Sequence, residues 1–343
     1  MRHSSRTGPK LMGTDLRAGE AEERVRCLLT GWCPPGMGVM ESVLRVKVNP
    51  YGSRSISLII DVLTSERRVE RLLLKAGRVG ERTRIGSPWG TGYEAEVYRG
   101  ALAHITGFAS PFIGEFIDGD RSWLVLRWIN DARSVAKSPY PSGIRSAATW
   151  LGRFHAEASA LLDRTEPRGL TRYGHAVVAW AESARARLRP VLGDESAMLS
   201  ALRAAAPAAQ SLLGTHRTLV HGDLYPANVL TTRSAIIPVD WEWAGIGAGE
   251  LDLAALVDDW PDATVAACAA DYRHTRWPQG GGQDFAERLC AARLFLAVRW
   301  LGGHPVRPGD PATDYHLGRL GQALHSLGFI PSDPAGPDER RAT

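Results

Sequence analysis

The sequence predicts an α+β, bilobal fold, in which a small antiparallel β-sheet lobe with one helix precedes a larger, mainly helical lobe. Two observations lead to this prediction. Before residue 130, short runs rich in Val, Ile and Leu are separated by turn residues, as expected of antiparallel strands. After the polar stretch 130–143, long segments predicted as helices dominate. The 343 residues, 44% of them hydrophobic, can provide a sizeable core.

The first lobe begins with strands that follow one short helix. Residues 18–32 are predicted as an amphipathic helix that ends at a Pro/Gly break, and residues 1–17 are predicted to be unstructured. Three strands of an antiparallel meander are predicted at residues 41–48, 55–64 and 68–77.

A helix is predicted next, over residues 91–107, because its apolar side chains have helical spacing. Counted from Glu94, the third, fourth and seventh positions are Val97, Tyr98 and Ala101. Two further strands, at residues 110–119 and 122–129, complete the lobe.

The second lobe is predicted to be built mainly from helices. Its main helices are predicted at residues 144–163, 174–193, 195–214, 287–303 and 314–329. With a hinge near residues 127–140, the domains are predicted as an N-terminal extension with one short helix (1–38), the β-rich lobe (39–129), the helical lobe (130–330) and a disordered tail (331–343).

The composition argues against several classes of protein. The net charge is +4 and the isoelectric point is about 9.0, but the basic residues are scattered, which favours a solvated face over a nucleic-acid site. Four cysteines lie far apart without a CxxC pair, so neither a disulfide framework nor a zinc site is indicated. The N-terminus lacks a signal-peptide core and no membrane-length apolar stretch follows, so we expect a soluble, cytoplasmic protein of undetermined oligomeric state.

The segment "HGDLYPANVL", residues 221–230, carries the chemistry. It predicts a strand, a tight loop and a second strand, and the later apolar strand "AIIPVD" ends at Asp240. A hairpin of this kind would bring Asp223, Asn228 and Asp240 together. Oxygen ligands that are few in number and leave room for waters and phosphates suit Mg²⁺. Asp223 would remain able to face a substrate hydroxyl.

This H-x-D-x-x-x-x-N pattern, followed by an aspartate at a strand end, resembles the protein-kinase-like phosphotransferases. More narrowly, it resembles the aminoglycoside phosphotransferase and choline kinase group, over about residues 41–330. The resemblance implies that Asp223 is the catalytic base, that Asn228 and Asp240 bind Mg²⁺, and that Lys75 contacts the phosphates of ATP or GTP.

The resemblance also implies an ion-pair partner for Lys75. Glu94 is favoured over Glu96, because counting from Glu96 places Arg99 and Gly100 where core-facing side chains belong.

The remaining nucleotide contacts are less sharply indicated. The loop "NPYGSRSIS" between the first two strands offers Ser53 and Ser55, which are either phosphate ligands or ordinary turn residues. Adenine is expected beside the backbone after the strand "WLVL", at Arg127 and Ile129.

Two residues are expected to support the catalytic loop. The resemblance implies that His221 braces the loop by hydrogen bonds and that Asp252 accepts backbone N–H bonds from it. Protein kinases usually carry Arg and Lys where this chain has Gly222 and Tyr225, and a long segment after the metal aspartate, which is short here. A small hydroxylated molecule is therefore the expected acceptor.

The identity of that acceptor stays open. Asp258 and Asp259, with Asp262 nearby, flank Trp260, and they form either a site for a cationic amine or a solvated helix end. The function we expect is a small-molecule kinase, either one that inactivates an antibiotic such as an aminoglycoside or nucleoside, or a housekeeping choline- or sugar-type kinase. A pseudokinase and a protein kinase are the remaining alternatives.

Overall fold

The fold is seen in a computed structural model, which describes residues 18–50, 56–79, 90–106, 108, 110–137, 141–165, 167 and 169–331. These residues form two compact units. Among them, the first unit contains residues 18–79, 90–99 and 110–131, and the second contains residues 100–108 and 132–331.

The first unit is a five-stranded antiparallel sheet with two helices, which confirms the predicted α+β class. Its elements are α1 (Ala18–Leu29), β1 (Met40–Val48), β2 (Ile56–Thr64), β3 (Val69–Arg78), α2 (Gly90–Arg99), β4 (Phe112–Asp118) and β5 (Arg121–Arg127). The strand order is β1-β2-β3-β5-β4. Each strand pairs with its neighbours in antiparallel register, including Leu74 with both Leu58 and Val125.

One face of this sheet carries the core of the first unit. Along β2, Leu58, Ile60 and Val62 are buried and alternate with less buried residues, because successive strand side chains point to opposite faces. Val25 and Leu29, one helical turn apart on α1, pack into the same core. Helix α1 therefore belongs to the same compact unit as the sheet, whereas the sequence predicted it as part of a separate N-terminal extension, residues 1–38.

The second unit is mainly helical with two small sheets. Its elements are β6 (Arg133–Ser134), α3 (Pro141–Arg164), β7 (Thr171–Arg172), α4 (Val177–Leu192), α5 (Ala197–Leu213), β8 (Arg217–Val220), β9 (Val229–Thr231), β10 (Ile236–Pro238), β11 (Gly245–Ala248), α6 (Glu250–Leu256), α7 (Asp262–Arg276), α8 (Phe285–Gly303) and α9 (Pro311–Ser326). One sheet has the order β10-β9-β6 and the other has the order β7-β11-β8.

Helix α8 is the central element of the second unit. Helices α4, α5, α6 and α9 all pack against it, and its side chains are buried around most of its circumference. A helix buried on most of its sides depends on the elements packed around it for its stability. No helix in the described part of the chain is both long enough and apolar enough to cross a bilayer.

Candidate active site

The first unit places a lysine and a glutamate together beneath a helix. On β3, Leu74 and Ala76 belong to the core face, so the intervening Lys75 points to the opposite face, where α2 packs. The Lys75 Nζ donates to both carboxylate oxygens of Glu94, at 3.1 and 2.9 Å. Glu96 is exposed, so the choice of Glu94 as the partner agrees with the geometry.

The Lys75–Glu94 pair is nearly inaccessible to solvent. Lys75 is 9% exposed and Glu94 is 1% exposed. The start of α2 is fixed to the sheet, since the Thr91 hydroxyl donates to the backbone oxygen of Ser122 at 3.1 Å. The pair therefore holds a cation at a defined position on the sheet, which is what recognition of a phosphate group requires.

The loop between β8 and β9 depends on a glycine. Gly222 has a φ of +78°, a conformation that side-chain-bearing residues rarely adopt. A Cβ at this position would lie 2.2 Å from the backbone oxygen of Trp243 and 2.4 Å from the hydroxyl oxygen of Tyr173. Both the backbone and the available space therefore exclude a larger residue such as arginine here.

Asp252 on α6 fixes this loop by two hydrogen bonds. One carboxylate oxygen accepts the His221 N–H at 2.7 Å, and the other accepts the Gly222 N–H at 2.8 Å. Asp252 is fully buried, so these hydrogen bonds do not compete with water.

A buried histidine continues the network beyond Asp252. His155 Nε2 lies 3.2 Å from Asp252, and His155 Nδ1 lies 3.0 Å from the hydroxyl of Tyr272. Burial lowers the pKa of His155, although Asp252 opposes that shift, and burial raises the pKa of Tyr272 well above its usual value. A neutral imidazole that donates from Nε2 to Asp252 and accepts from the Tyr272 hydroxyl satisfies all three groups.

His221 fixes the other side of the loop. Its Nε2 lies 2.9 Å from the backbone oxygen of Val239 and donates to it, while its Nδ1 accepts the Asp223 N–H at 3.3 Å. Both ring nitrogens are therefore engaged in holding the backbone, as the sequence analysis expected.

The carboxylate of Asp223 is held by two neighbours. Its Oδ2 accepts from Asn228 Nδ2 at 3.2 Å, and its Oδ1 accepts from Arg299 Nη2 at 2.9 Å. The side chain remains 30% exposed, so a substrate can still reach it. Sequence reasoning missed Arg299, whose signal is a charge within the otherwise apolar run "LFLAVRWL" of α8.

Asn228 and Asp240 are brought side by side by the β9–β10 hairpin. The register pairs Val229 with Pro238, and the Val239 N–H donates to the Asn228 backbone oxygen at 2.9 Å. Asp240 adopts a left-handed conformation (φ 68°, ψ 58°) directly after this point. Such conformations in non-glycine residues cluster at functional sites.

The donor set of these two residues fits Mg²⁺. Asn228 Nδ2 donates to the backbone oxygen of Asp223 at 2.9 Å and to its carboxylate, which turns the amide oxygen of Asn228 away from them. In the described residues, no cluster of three or more His, Cys, Asp or Glu side chains could hold a metal. An amide oxygen and a carboxylate, completed by water and phosphate, match the ligand preference of Mg²⁺.

Of the residues predicted to bind the nucleotide, only some belong to the described part of the chain. Ser53 and Ser55 lie outside the residues that the structure describes. The Arg127 side chain is exposed and pairs with Glu70 at 3.0 Å, and its backbone N–H donates to Pro111. Ile129 is half-buried just after β5.

The acidic cluster proposed for a cationic substrate is engaged by α9. Asp258 forms an ion pair with Arg319, and the Tyr315 hydroxyl lies 3.0 Å from Asp258 and 2.6 Å from Asp259. Trp260 is half-buried beside them. The sequence left open a site for a cationic amine or a solvated helix end, and in the structure Asp258 and Asp259 contact side chains of α9.

Comparisons with known proteins agree with this geometry. The model of the phosphotransferase enzyme family, APH, matches residues 109–286. A search of curated proteins finds no match.

Three solved structures illustrate the similarity of fold. The choline kinase LicA from Streptococcus pneumoniae is 16% identical, with 90% of this chain and 98% of that chain covered, at a TM-score of 0.57. A thermostable mutant of the aminoglycoside phosphotransferase APH(4)-Ia, in complex with ADP and hygromycin B, is 17% identical, with coverage of 84% and 96% and a TM-score of 0.58. The amicoumacin kinase hAmiN, in complex with AMP-PNP, Ca²⁺ and Ami, is 11% identical, with coverage of 92% and 96% and a TM-score of 0.59.

These comparisons confirm the fold and the family suggested by the sequence motif. The structural neighbours have the protein-kinase-like fold that the sequence predicted. The predicted enzyme class, a phosphotransferase, is also confirmed. The family model matches more than half of the length of this chain, so the chain belongs to the phosphotransferase enzyme family, APH.

Proposed function

We propose that this enzyme transfers the γ-phosphoryl group of ATP or GTP to a hydroxyl group of a small molecule. The observation that carries the proposal is the geometry of Asp223, whose carboxylate is oriented by Asn228 and Arg299 while 30% of the side chain stays exposed. A carboxylate oriented in this way can accept a hydroxyl proton without rearrangement. Membership of a phosphotransferase family supports this assignment.

Each side chain has a defined part in the proposed reaction. Asp223 orients the acceptor hydroxyl and takes its proton as the oxygen attacks the γ-phosphorus. Lys75, fixed by Glu94, would contact the nucleotide phosphates, and Asn228 and Asp240 would hold Mg²⁺. The metal ion would neutralise charge on the phosphates. The bond from the γ-phosphorus to its bridging oxygen breaks as the new bond forms, so no covalent enzyme intermediate is needed.

Nucleotide recognition is proposed from the first unit. Ile129 follows the strand β5, and its backbone is the proposed neighbour of the adenine ring, together with that of Arg127. Ser53 and Ser55 remain proposed ligands of the phosphates. The adenine nucleotides bound in two of the solved structures described above support ATP, and they leave GTP to experiment.

A small acceptor is favoured over a protein. Only residues 241–249 separate Asp240 from α6, and they form a short helical turn and the strand β11. No extended segment for docking a peptide is present between these two described points. Gly222 also leaves no room for the arginine with which protein kinases clamp their activation segment.

The acceptor is proposed to be an antibiotic or a housekeeping metabolite. The solved structures of similar fold include a choline kinase and two enzymes crystallised with antibiotics, which motivates testing both groups. A pseudokinase is disfavoured, because Lys75, Asp223, Asn228 and Asp240 are all present.

Turnover against a panel of acceptors tests the proposal. The purified chain would be incubated with ATP or GTP, Mg²⁺ and aminoglycosides, nucleoside antibiotics, macrolides, choline or simple sugars, and mass spectrometry would detect an added phosphate. We expect a phosphorylated product with the wild type and none with Asp223→Asn. Asp163→Asn, which replaces an exposed carboxylate on α3, is the matched control and should keep full turnover. Substantial turnover by Asp223→Asn would refute the assignment of the base.

A further inference from the structure

Arg299 places a positive charge next to the proposed catalytic base, Asp223. It lies on α8, and its side chain is only 11% exposed. Its guanidinium donates to the Gly222 backbone oxygen and to Asp223 Oδ1, and it stacks on the Trp243 ring at 5.0 Å from the ring centroid. Burial lowers the pKa of Arg299, but the charge and hydrogen bond of Asp223, together with Tyr173 and Tyr225, raise it by more, so the pKa is raised and the group stays charged.

A second arginine pairs with a carboxylate of the acidic turn after α6. Arg319 on α9 donates to Asp258, and Tyr315, one turn earlier, donates to Asp258 or Asp259. Two guanidinium groups and one hydroxyl therefore satisfy the three carboxylates of Asp223, Asp258 and Asp259.

The two ion pairs lie on helices that pack against each other, α8 and α9. Trp300, the residue after Arg299 on α8, stacks on His316 of α9, which lies three residues before Arg319. The pKa of Tyr225, in the catalytic loop, is raised first by burial and also by the charges of Asp223 and Asp258, while Arg299 opposes the shift. Both carboxylates therefore act on the same phenol.

Neighbouring side chains on α8 and α9 add an uncharged surface. The Trp300 ring is stacked between His304 and His316, with ring centroids 4.8 and 4.1 Å away. Burial lowers the pKa of His316 to about 4, so this ring is neutral at physiological pH. The uncharged Trp300 and His316 rings therefore lie beside Tyr315, the partner of Asp258 and Asp259.

We propose that Arg299 and Arg319 make this a cation-excluding acceptor site, so that the enzyme phosphorylates an uncharged hydroxylated molecule and discriminates against amines. This inference rests on the function proposed above. A substrate ammonium could approach Asp223 or Asp258 only by displacing a guanidinium or by lying next to one, and either arrangement is unfavourable for a cation. An uncharged hydroxyl needs only one lone pair of the exposed Asp223 carboxylate.

Binding of a cation and of its uncharged counterpart tests this inference. The probes are kanamycin and its fully N-acetylated form, which keeps the hydroxyl groups and loses the ammonium charges. Isothermal titration calorimetry would compare the full-length wild type with Arg299→Gln and with Arg319→Gln. We expect each substitution to increase the affinity for kanamycin by about tenfold or more, because it frees a carboxylate for the ammonium groups. The affinity for the acetylated compound should change by less than about threefold.

Arg145→Gln is the matched control. It removes an arginine–aspartate pair of the same kind, with Asp271, from an exposed position between α3 and α7. Its kanamycin affinity should equal that of the wild type. The two site arginines are replaced separately, and a melting curve shows which variants are folded, so that one misfolded variant leaves the other to decide the result.

Two results would overturn the inference. One is that the wild type binds kanamycin as tightly as the folded site variants do, and the other is that Arg145→Gln gains as much affinity as they do. Neither result depends on turnover, so the proposed function stands or falls separately, on the loss of product formation in Asp223→Asn.

Discussion

The buried pair of Lys75 and Glu94 leads to a prediction about stability that can be worked from the structure. The side chains are 11% and 1% exposed, and both carboxylate oxygens lie within 3.1 Å of the Lys75 Nζ. Removing one partner of a buried ion pair leaves the other without its nearest countercharge, which costs about 3–5 kcal/mol of unfolding free energy. Glu94 is the more deeply buried partner, so the variant that keeps it alone should lose more stability.

Three variants turn this reasoning into a thermodynamic cycle. We expect Lys75→Met to be destabilised by about 5 kcal/mol and Glu94→Gln by about 3 kcal/mol. The double variant should be more stable than Lys75→Met alone, although it lacks one more native side chain, because neither charge of the Lys75–Glu94 pair then remains buried. A coupling free energy of at least about 3 kcal/mol follows.

The assay is urea unfolding followed by circular dichroism, with the unfolding free energy taken from linear extrapolation. Arg24→Gln is the control, because it breaks an ion pair with Asp118 in which the arginine is 47% exposed. Its cost should stay below about 1 kcal/mol. A double variant that loses the sum of the two single losses would refute the reasoning, since the charges would then not interact.

Two further predictions concern the catalytic loop and its support. Gly222→Ala should lose most turnover and about 1–3 kcal/mol of unfolding free energy. The reason is that a Cβ would strain the positive φ and would lie 2.2 Å from the Trp243 backbone oxygen. Turnover and an unfolding free energy near the wild-type values would contradict this prediction. His155 has a folded-state pKa lowered by burial, so its neutral form stabilises the fold above the unfolded pKa of about 6.5, and that contribution falls as the pH decreases below this value. Unfolding free energies measured from pH 8 down to pH 5 should therefore depend less on pH in His155→Gln than in the wild type, and equal slopes would count against the assignment.

The elements that sequence reasoning found are those with local signals. The five strands of the first sheet have runs of Val, Ile and Leu, and their bounds differ from the prediction by at most a few residues. Helix α7 was missed. Its buried residues, Thr264, Cys268, Tyr272 and Arg276, recur every four positions as a helix requires, but most of them are polar, so the apolar period is hidden.

Short strands were missed for a different reason. In β11, Gly245 pairs with Val220 on one side and with Thr171 on the other, and both partners are distant in sequence. A strand of four residues that contains glycine has little intrinsic preference for extended structure. Its formation is decided by the neighbours that tertiary folding supplies.

In the candidate site, too, residues close together in the sequence could be predicted as neighbours, whereas residues brought in by tertiary packing could not. Asp223, Asn228 and Asp240 could be predicted as neighbours because they are separated by short spacings along the chain, and in the structure Asn228 donates to Asp223 and the β9–β10 hairpin ends just before Asp240. Arg299 reaches Asp223 from 76 residues away, and its position depends on how α8 packs. The same holds for Arg319, which pairs with Asp258 of the acidic turn from 61 residues away.

The catalytic loop is supported by hydrogen bonds from two helices. Helix α6 satisfies the N–H groups of His221 and Gly222 through Asp252, and α8 satisfies the Gly222 carbonyl and one oxygen of Asp223 through Arg299. Because protein groups make these hydrogen bonds, the base needs no reorganisation when an acceptor arrives. Substitutions in this supporting network should therefore reduce the rate of phosphoryl transfer more than the affinity for nucleotide, since the Lys75–Glu94 pair belongs to the separate first unit.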